Sequence, residues 1–232
     1  MDVRLVHTKI KLRLNKADSS DFDNIQCYQI NEAFNKAQRE WCRRQLHGFN
    51  QMRESSEQTK QRVSDLHILL KNRALSGNNY SEFYETETLP DDILRFEKVQ
   101  ALAKNEVCKK GKILKIRYIE EGNSDTWISD WALKPSFEWA ETFNTLIDNR
   151  VRIYTSGEFK IESPTITYYR QPKNISIDGC EDINGNQFGN IDPEFSDDIV
   201  ELIIDETVSI LASDIESFNV MQTAEKRKEN NN

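Results

Sequence analysis

The sequence has little of the material from which catalytic and phosphate-binding loops are built. It contains only eight glycines and three histidines, and the motifs G-x-x-x-x-G-K-[ST], G-x-G-x-x-G and G-x-S-x-G do not occur. His7, His47 and His67 form no H-x-x-x-H pair of the kind that binds zinc. We therefore predict that the chain is not an enzyme and has no catalytic residues, metal ligands or cofactor-binding residues.

Long apolar runs and paired cysteines are also missing. No run approaches the roughly 20 residues needed to cross a bilayer, and residues 1–16 lack the apolar core of a secretory signal. Cys27, Cys42, Cys108 and Cys180 are scattered without paired spacing, which favours reduced thiols over a disulfide framework. We expect a protein that is made in the cytoplasm and has no membrane partner.

Charge is unevenly distributed along the chain, whose net charge is -8. Basic residues outnumber acidic ones from Arg4 to Arg73, whereas the segment from Glu181 to Phe218 holds eleven acids and no Lys or Arg. Such polarity favours head-to-tail contact between like subunits, because the basic end of one meets the acidic end of the next. A solvated acidic helix is an equally supported interpretation.

Apolar stripes at helical spacing predict helices near both ends of the chain. Val3, Val6, Ile10 and Leu14 fit a helix, although Ile10, Leu12 and Leu14 also alternate as in a strand; we predict helix. Three further stripes predict a second helix, a third that stops in the turn at residues 76–79, and a last one. Their residues are Cys27, Ile30, Phe34, Ala37 and Trp41; Val63, Leu66, Leu69 and Leu70; and Ile199, Leu202, Ile203, Leu211, Ile215 and Phe218.

Residues 80–178 change to a strand pattern. The segment 112–119 is dense in β-forming residues, and the segment 165–170 is another strand closed by Pro172. Two short runs, 151–154 and 159–161, flank a turn and predict a hairpin. An antiparallel sheet is the simplest arrangement of these strands.

This order of elements predicts an α+β fold. We expect residues 1–78 and 192–226 to form a helical bundle, in which a long C-terminal helix packs back on the N-terminal helices. Residues 79–191 are expected to form an antiparallel β-rich insert, with a turn-rich linker at its end, and residues 227–232 a flexible tail.

Two weak binding signals are better explained as surface features. Asp182, Asn184 and Asn186 alternate as in a calcium loop, but Gln187 stands where the loop needs glycine and Pro193 where it needs glutamate, so a surface turn is favoured. Basic residues on the N-terminal helices would suit phosphate contacts. The sequence pI of about 5.1 and the lack of a known motif for recognising DNA bases argue against sequence-specific DNA binding.

Several short segments, spaced over nearly the whole chain, carry a family resemblance. They are Ile30–Ala33 through Gln38–Trp41, Leu89–Asp92, Lys134–Trp139, Asn149–Tyr154, Thr167–Pro172 and Asp192–Val200. Together with the order of helical region, strand-rich insert and C-terminal helix, they resemble the head-to-tail connector (adaptor or ring) proteins of tailed bacteriophages. The likeness is closest to the ring proteins of crAss-like phages.

The resemblance implies a structural virion protein at the head–tail junction. Such a protein forms a homo-oligomeric ring, expected as a dodecamer matching the portal, and contacts the portal protein and further ring or tail proteins. DNA passes through its lumen without sequence-specific binding, and an acidic wall would suit this role because it repels phosphate. The alternatives are another virion part, such as a tail-completion or tail-tube protein, a small enzyme with a non-local site, and a regulatory binding module.

Overall fold

The apolar stripes at the two ends of the chain form helices that pack together. The computed structural model describes residues 1–15, 25–47, 64–105, 110–181, 185–214 and 226. Its helices are α1 (Val3–Asn15), α2 (Cys27–His47), α3 (Ser124–Ser129) and α4 (Asp197–Asp214). The predicted stripe of α1 is fully buried, which confirms helix rather than strand there. The long C-terminal helix α4 packs against α1 and α2, as predicted.

The middle of the chain forms two sheets. The strands are β1 (Leu70–Ala74), β2 (Gly77–Asn79), β3 (Phe83–Thr86), β4 (Ile93–Lys104), β5 (Lys112–Ile113), β6 (Lys115–Tyr118), β7 (Glu141–Ile147), β8 (Arg150–Tyr154) and β9 (Lys160–Arg170). One sheet has the order β1-β9-β4-β5 and the other β2-β3-β8-β7-β6. Neighbouring strands are antiparallel except β6 and β7, which run parallel. The predicted α+β class is confirmed.

The chain divides into two units, which are described separately. The helical unit comprises residues 1–68 and 172–232, and the β unit comprises residues 69–171. Both divisions come earlier than the sequence suggested, which was after residues 78 and 191. The first comes earlier because β1 and β2 belong to the sheets. The second comes earlier because residues 173–181 hydrogen-bond to α2, where Gln38 donates to the Lys173 carbonyl at 2.8 Å.

The predicted third helix is wrong over most of its length. Residues 64–66 are helical, His67–Leu69 form one 3₁₀ turn, and the chain then enters strand β1. Leu70 pairs with Tyr169 of β9, so the backbone hydrogen bonds that a helix would need are used across a sheet. Val63 of the predicted stripe lies outside the described residues.

The predicted hairpin of residues 151–161 is also wrong, although its turn and both strands exist. Strand β8 pairs with β3 and β7, whereas β9 pairs with β1 and β4 in the other sheet. The chain changes sheets at Ser156 and Gly157, whose φ angles are 49° and 72°. The turn is fixed from outside, because the backbone N–H groups of Thr155 and Ser156 both donate to the Glu82 carbonyl.

The expectation of reduced thiols is wrong for two of the four cysteines. Cys27, at the start of α2, and Cys180 form a disulfide although 153 residues separate them in sequence. The fold brings their Cα atoms within 6.0 Å. This bond ties the segment after the β unit to α2, together with Asn35, whose Oδ1 accepts from the Ile175 N–H at 2.8 Å. Cys42 is a free, buried thiol, and Cys108 lies outside the described residues.

Candidate functional site

Three of the chain's four tryptophans line one groove of the β unit. Trp131 is 85% exposed and Trp139 is 76% exposed, whereas Trp127 lies deeper. The groove has a volume of about 530 Å³. Its polar lining includes Arg117, Lys134, Ser136, Glu138, Glu141 and Glu158. We call this feature the tryptophan groove, and its lining overlaps the segment Lys134–Trp139 that contributes to the family resemblance.

A tight turn presents Trp139 at the rim of the groove. Ser136 and Glu141 exchange two backbone hydrogen bonds of 2.9 and 3.1 Å, which close the turn. Ala140 completes it with a φ of 54°, in the left-handed region that costs a non-glycine residue roughly 1 kcal/mol. From β5, Lys112 donates its Nζ to the carbonyls of Phe137 and Glu138 at 3.3 and 3.2 Å. The turn is therefore held before any partner arrives.

Phe137 anchors the same turn in the core of the β unit. Its side chain is 8% exposed and lies 6.0 Å from Phe159, measured between ring centroids. The Lys112 ammonium stands 4.9 Å from the centroid of the Phe137 ring, within the range of a cation–π contact. One buried aromatic thus supports an exposed one two residues away, so that Trp139 is solvated and yet restrained at its backbone.

The opposite wall of the groove is built by α3 and the turn that follows it. Trp127, on α3, packs edge-on against Phe143 with 5.5 Å between ring centroids. Phe143 in turn stacks on Tyr154 at 4.7 Å. Asp130 then ends the helix, and its Oδ1 accepts from the Ala132 N–H at 2.9 Å. These contacts position Trp131 without burying it.

The charges in the groove are mixed: its lining holds three acids and two bases, and Lys112 and Lys115 lie at its edge. Glu141 lies 3.6 Å from both Lys115 and Arg117, in pairs that are exposed and therefore weak. Glu138 and Glu158 are exposed acids of the lining, and Lys134 is the exposed base. The groove thus combines flat aromatic surface with carboxylates, a surface suited to an apolar partner that carries positive charge.

In the helical unit, the basic and acidic ends of the sequence meet within one chain. Lys9 and Arg13 of α1 pair with Glu201 of α4, and Arg13 also contacts Asp205 at 2.7 Å. Burial alone raises the pKa of Glu201, but the hydrogen bonds and charges of Lys9 and Arg13 outweigh it and leave that pKa below its usual value. These acids are engaged inside the unit, so they do not form a free acidic surface.

A second ion pair joins α2 to α4. Arg44 donates to the carboxylate of Glu206, whose side chain is only 3% exposed. Together with the α1 pairs, it accounts for three of the eleven acids of the C-terminal segment, namely Glu201, Asp205 and Glu206. The basic and acidic ends predicted from the sequence are present, but these three acids pair with basic residues of α1 and α2 in the same chain.

One face of α1 stays solvated and carries both apolar and basic residues. Leu5 is 47% exposed and Leu12 is 56% exposed. They are seven residues apart, which is two helical turns or about 10 Å along one face. Arg4 and Lys11, with the same spacing, are exposed beside them. We call these four residues the α1 ridge; it lies opposite the buried stripe.

The described histidines and thiols form no reactive arrangement. His7 is buried and its Nε2 donates to Asn31 Oδ1 at 2.7 Å, while burial lowers the pKa of the ring. His67 is exposed, and the side chain of His47 lies outside the described residues. Burial raises the pKa of the Cys42 thiol to about 12, so this cysteine is inert. Within the described ranges, no three metal-binding side chains come together.

The weak calcium-loop signal is not tested at its decisive positions. Asp182 and Asn184 lie outside the described residues. The flanking residues Glu181 and Gln187 form a backbone bridge and a side-chain hydrogen bond of 3.1 Å. The Glu181–Gln187 bridge lies within the predicted turn-rich linker, residues 179–191, and a second bridge joins the end of this linker, Ile191, to Ser176.

Comparison with known proteins does not assign the chain to a family. No protein-family model matches it, and no curated protein matches it. None of the helices in the described part of the chain has the length and apolar character needed to cross a membrane. Sequence reasoning quoted Trp139 only as part of a resemblance and did not single out Trp131. The available signal was the clustering of three tryptophans within thirteen residues of a strongly polar chain.

Proposed function

We propose that the protein is a structural virion component that forms a ring between the portal and the tail of a phage particle. In this role it extends the DNA channel, contacts the portal protein and provides a platform for tail parts. The resemblance of the segments from Ile30 to Val200 supplies the class. The tryptophan groove is the observation that carries the proposal, because it is a prepared surface that no described residue of its own chain fills.

Exposed tryptophan is the main physical support. Trp, Tyr and Arg dominate the binding energy of protein interfaces, where they sit in well-packed, desolvated centres. Trp131 and Trp139 are more than three-quarters exposed, yet the turns that carry them are held by several backbone hydrogen bonds. Restraint of this kind lowers the entropy lost on binding. It favours a permanent assembly surface over a disordered loop.

Two further features fit a particle component. Disulfides persist on virion surfaces and in other oxidising settings, and Cys27–Cys180 is such a bond. Cys42 is buried and its pKa is raised to about 12, so this thiol is not a nucleophile. The alternative of a tail-tube protein is less well supported, because that class is expected to be mostly β, whereas α1, α2 and α4 make a helical unit here.

The mass of the purified protein, alone and mixed with a candidate portal protein, tests the proposal. We expect either a large closed oligomer or a stoichiometric complex with the portal. An isolated adaptor is sometimes monomeric before assembly, so the mixture is the decisive sample. A chain that stays monomeric in both samples would contradict the proposed function, most clearly if it also turned over a small-molecule substrate.

A further inference from the structure

We infer that the tryptophan groove of one copy receives the α1 ridge of the next copy. The inference rests on the proposed function and specifies its subunit contact. The occupant is a second copy of this chain, presenting Leu5 and Leu12 as apolar anchors and Arg4 and Lys11 as their basic flank. Trp131 and Trp139 supply the aromatic surface, and Glu138 and Glu158 the opposing charge.

The α1 ridge has the form that a groove recognises. An amphipathic helix binds a groove through residues spaced by three, four or seven positions, and Leu5 and Leu12 have the last of these spacings. The buried stripe of α1 already faces α4, so the exposed leucines are a second apolar face that the described residues of the chain leave uncovered. A helix with two apolar faces is expected to be covered on both sides.

Charge distinguishes this face of α1 from the rest of the helix. The other basic residues of α1, Lys9 and Arg13, pair with acids of α4 inside the unit. Arg4 and Lys11 point instead to the solvated side, where both are exposed. In the groove, Glu138 and Glu158 are the exposed acids next to the tryptophan rings. A cation brought to this rim meets carboxylates and aromatic faces together.

The contact joins two different surfaces, which is the kind of contact that a ring of more than two copies requires; without closure it gives an open filament. A heterologous contact repeats from copy to copy and closes when the rotation between neighbours divides a full turn. A self-complementary patch would instead stop at a dimer. The inferred contact retains the expectation that a basic end meets an acidic surface of the next subunit, but it moves the acidic surface from α4 to the groove.

Charge reversal and restoration test the contact, read by native mass and by sedimentation in a concentration series, with and without portal. Arg4→Glu with Lys11→Glu should weaken self-association about tenfold or more. The chain that also carries Glu138→Lys and Glu158→Lys should recover to within about threefold of the native value. Arg43→Glu, an exposed charge reversal on α2, is the matched control and should leave assembly unchanged.

A fluorescence measurement reports on the groove itself. Assembly should shift the tryptophan emission to shorter wavelength and reduce acrylamide quenching, because the indoles of Trp131 and Trp139 leave water. The Trp131→Phe, Trp139→Phe chain should lose most of that shift, since Trp41 is buried and Trp127, deeper in the groove, already packs on Phe143 before assembly. Far-UV circular dichroism confirms that each variant is folded.

The outcomes separate this inference from the proposed function. If native rings form and neither reversal affects them, the ridge–groove contact is refuted and the ring function stands. If the groove variants keep their rings but lose the portal, the groove belongs to the portal contact and the inference is refuted. If the native chain forms no ring and binds no portal, both are refuted.

Discussion

Removing the Arg44 side chain is the sharpest test of how the helical unit is held together. Glu206 is 3% exposed and accepts a charge-assisted hydrogen bond from Arg44, which is itself 28% exposed. Breaking a fully buried pair by deleting one partner costs about 3–5 kcal/mol, because the other charge stays in a low-dielectric site. Solvent reaches the Arg44 side of this pair, so we expect Arg44→Ala to lower the free energy of unfolding by about 2–3 kcal/mol.

Replacing both partners should cost much less than replacing one. In the chain with Arg44→Met and Glu206→Leu, neither charge of this pair is left behind, and apolar groups fill the space. We expect this double variant to lie within about 1 kcal/mol of the native chain. The difference between the single and double variants measures the coupling directly.

Urea denaturation followed by circular dichroism at 222 nm is the appropriate assay, since the signal is dominated by the helices. Lys173→Ala is the matched control in the same helical unit, because the Lys173–Glu194 pair spans 3.6 Å and its lysine is 68% exposed, so the pair should be worth less than about 1 kcal/mol. The buried-pair account is contradicted if Arg44→Ala costs no more than Lys173→Ala, or if the double variant is as unstable as the single one.

Three further predictions concern other parts of the fold. Burial lowers the pKa of His7, so the unfolded state binds the proton more readily than the folded state. The free energy of unfolding should therefore fall as the pH drops below about 6.5, by at most about 1.4 kcal/mol per pH unit. A His7→Gln chain should lose this part of the pH dependence. Reducing the Cys27–Cys180 disulfide should lower the free energy of unfolding by about 2–5 kcal/mol, seen as a lower urea midpoint. Alkylation of the unfolded chain without reductant should modify two fewer thiols than alkylation of the reduced chain. Gly77→Ala should destabilise the β unit by more than about 2 kcal/mol on thermal unfolding, because the new Cβ would lie 2.1 Å from a carbonyl oxygen of β3. Gly122→Ala is the control: its new Cβ meets nothing within 4 Å, so the free energy of unfolding should change by less than about 0.5 kcal/mol.

Local patterns predicted the elements whose stability is decided locally. The stripe from Val3 to Leu14 predicted α1, and the stripe that begins at Ile199 predicted α4. The first turn of α4 holds Asp198, whose pKa is lowered by its hydrogen bond to Ser196. In both cases periodicity or helix-end chemistry gives the answer without knowledge of the rest of the chain.

The errors came where distant residues decide. Leu69 and Leu70 continue a helical stripe, but pairing of Leu70 with Tyr169 draws the segment into a sheet. The sequence predicted the turn at Ser156, but not the partners of the strands on either side. Strand β8 pairs with β3 and β7, and β9 pairs with β1 and β4. The disulfide joins cysteines 153 residues apart, a separation for which spacing gives no signal.

The candidate site was the least predictable part. A tryptophan in sequence is most often a core residue, and Trp41 is one, at 4% exposure. Trp41 belongs to the apolar stripe that predicts α2, whereas no such stripe includes Trp131, which is 85% exposed. The difference arises from the tertiary arrangement: Trp41 packs on Phe195, while the turn after Asp130 carries Trp131 outward.

The most direct test of the central claim is the mass and symmetry of the particles that this chain forms with a portal protein. Native mass spectrometry and electron-microscopy class averages of the mixture should show a closed ring, expected to hold twelve copies of the 27.1-kDa chain on the portal axis. Monomers that leave the portal unchanged, across the full concentration range and after oxidation of Cys27–Cys180 has been verified, would contradict the assembly role.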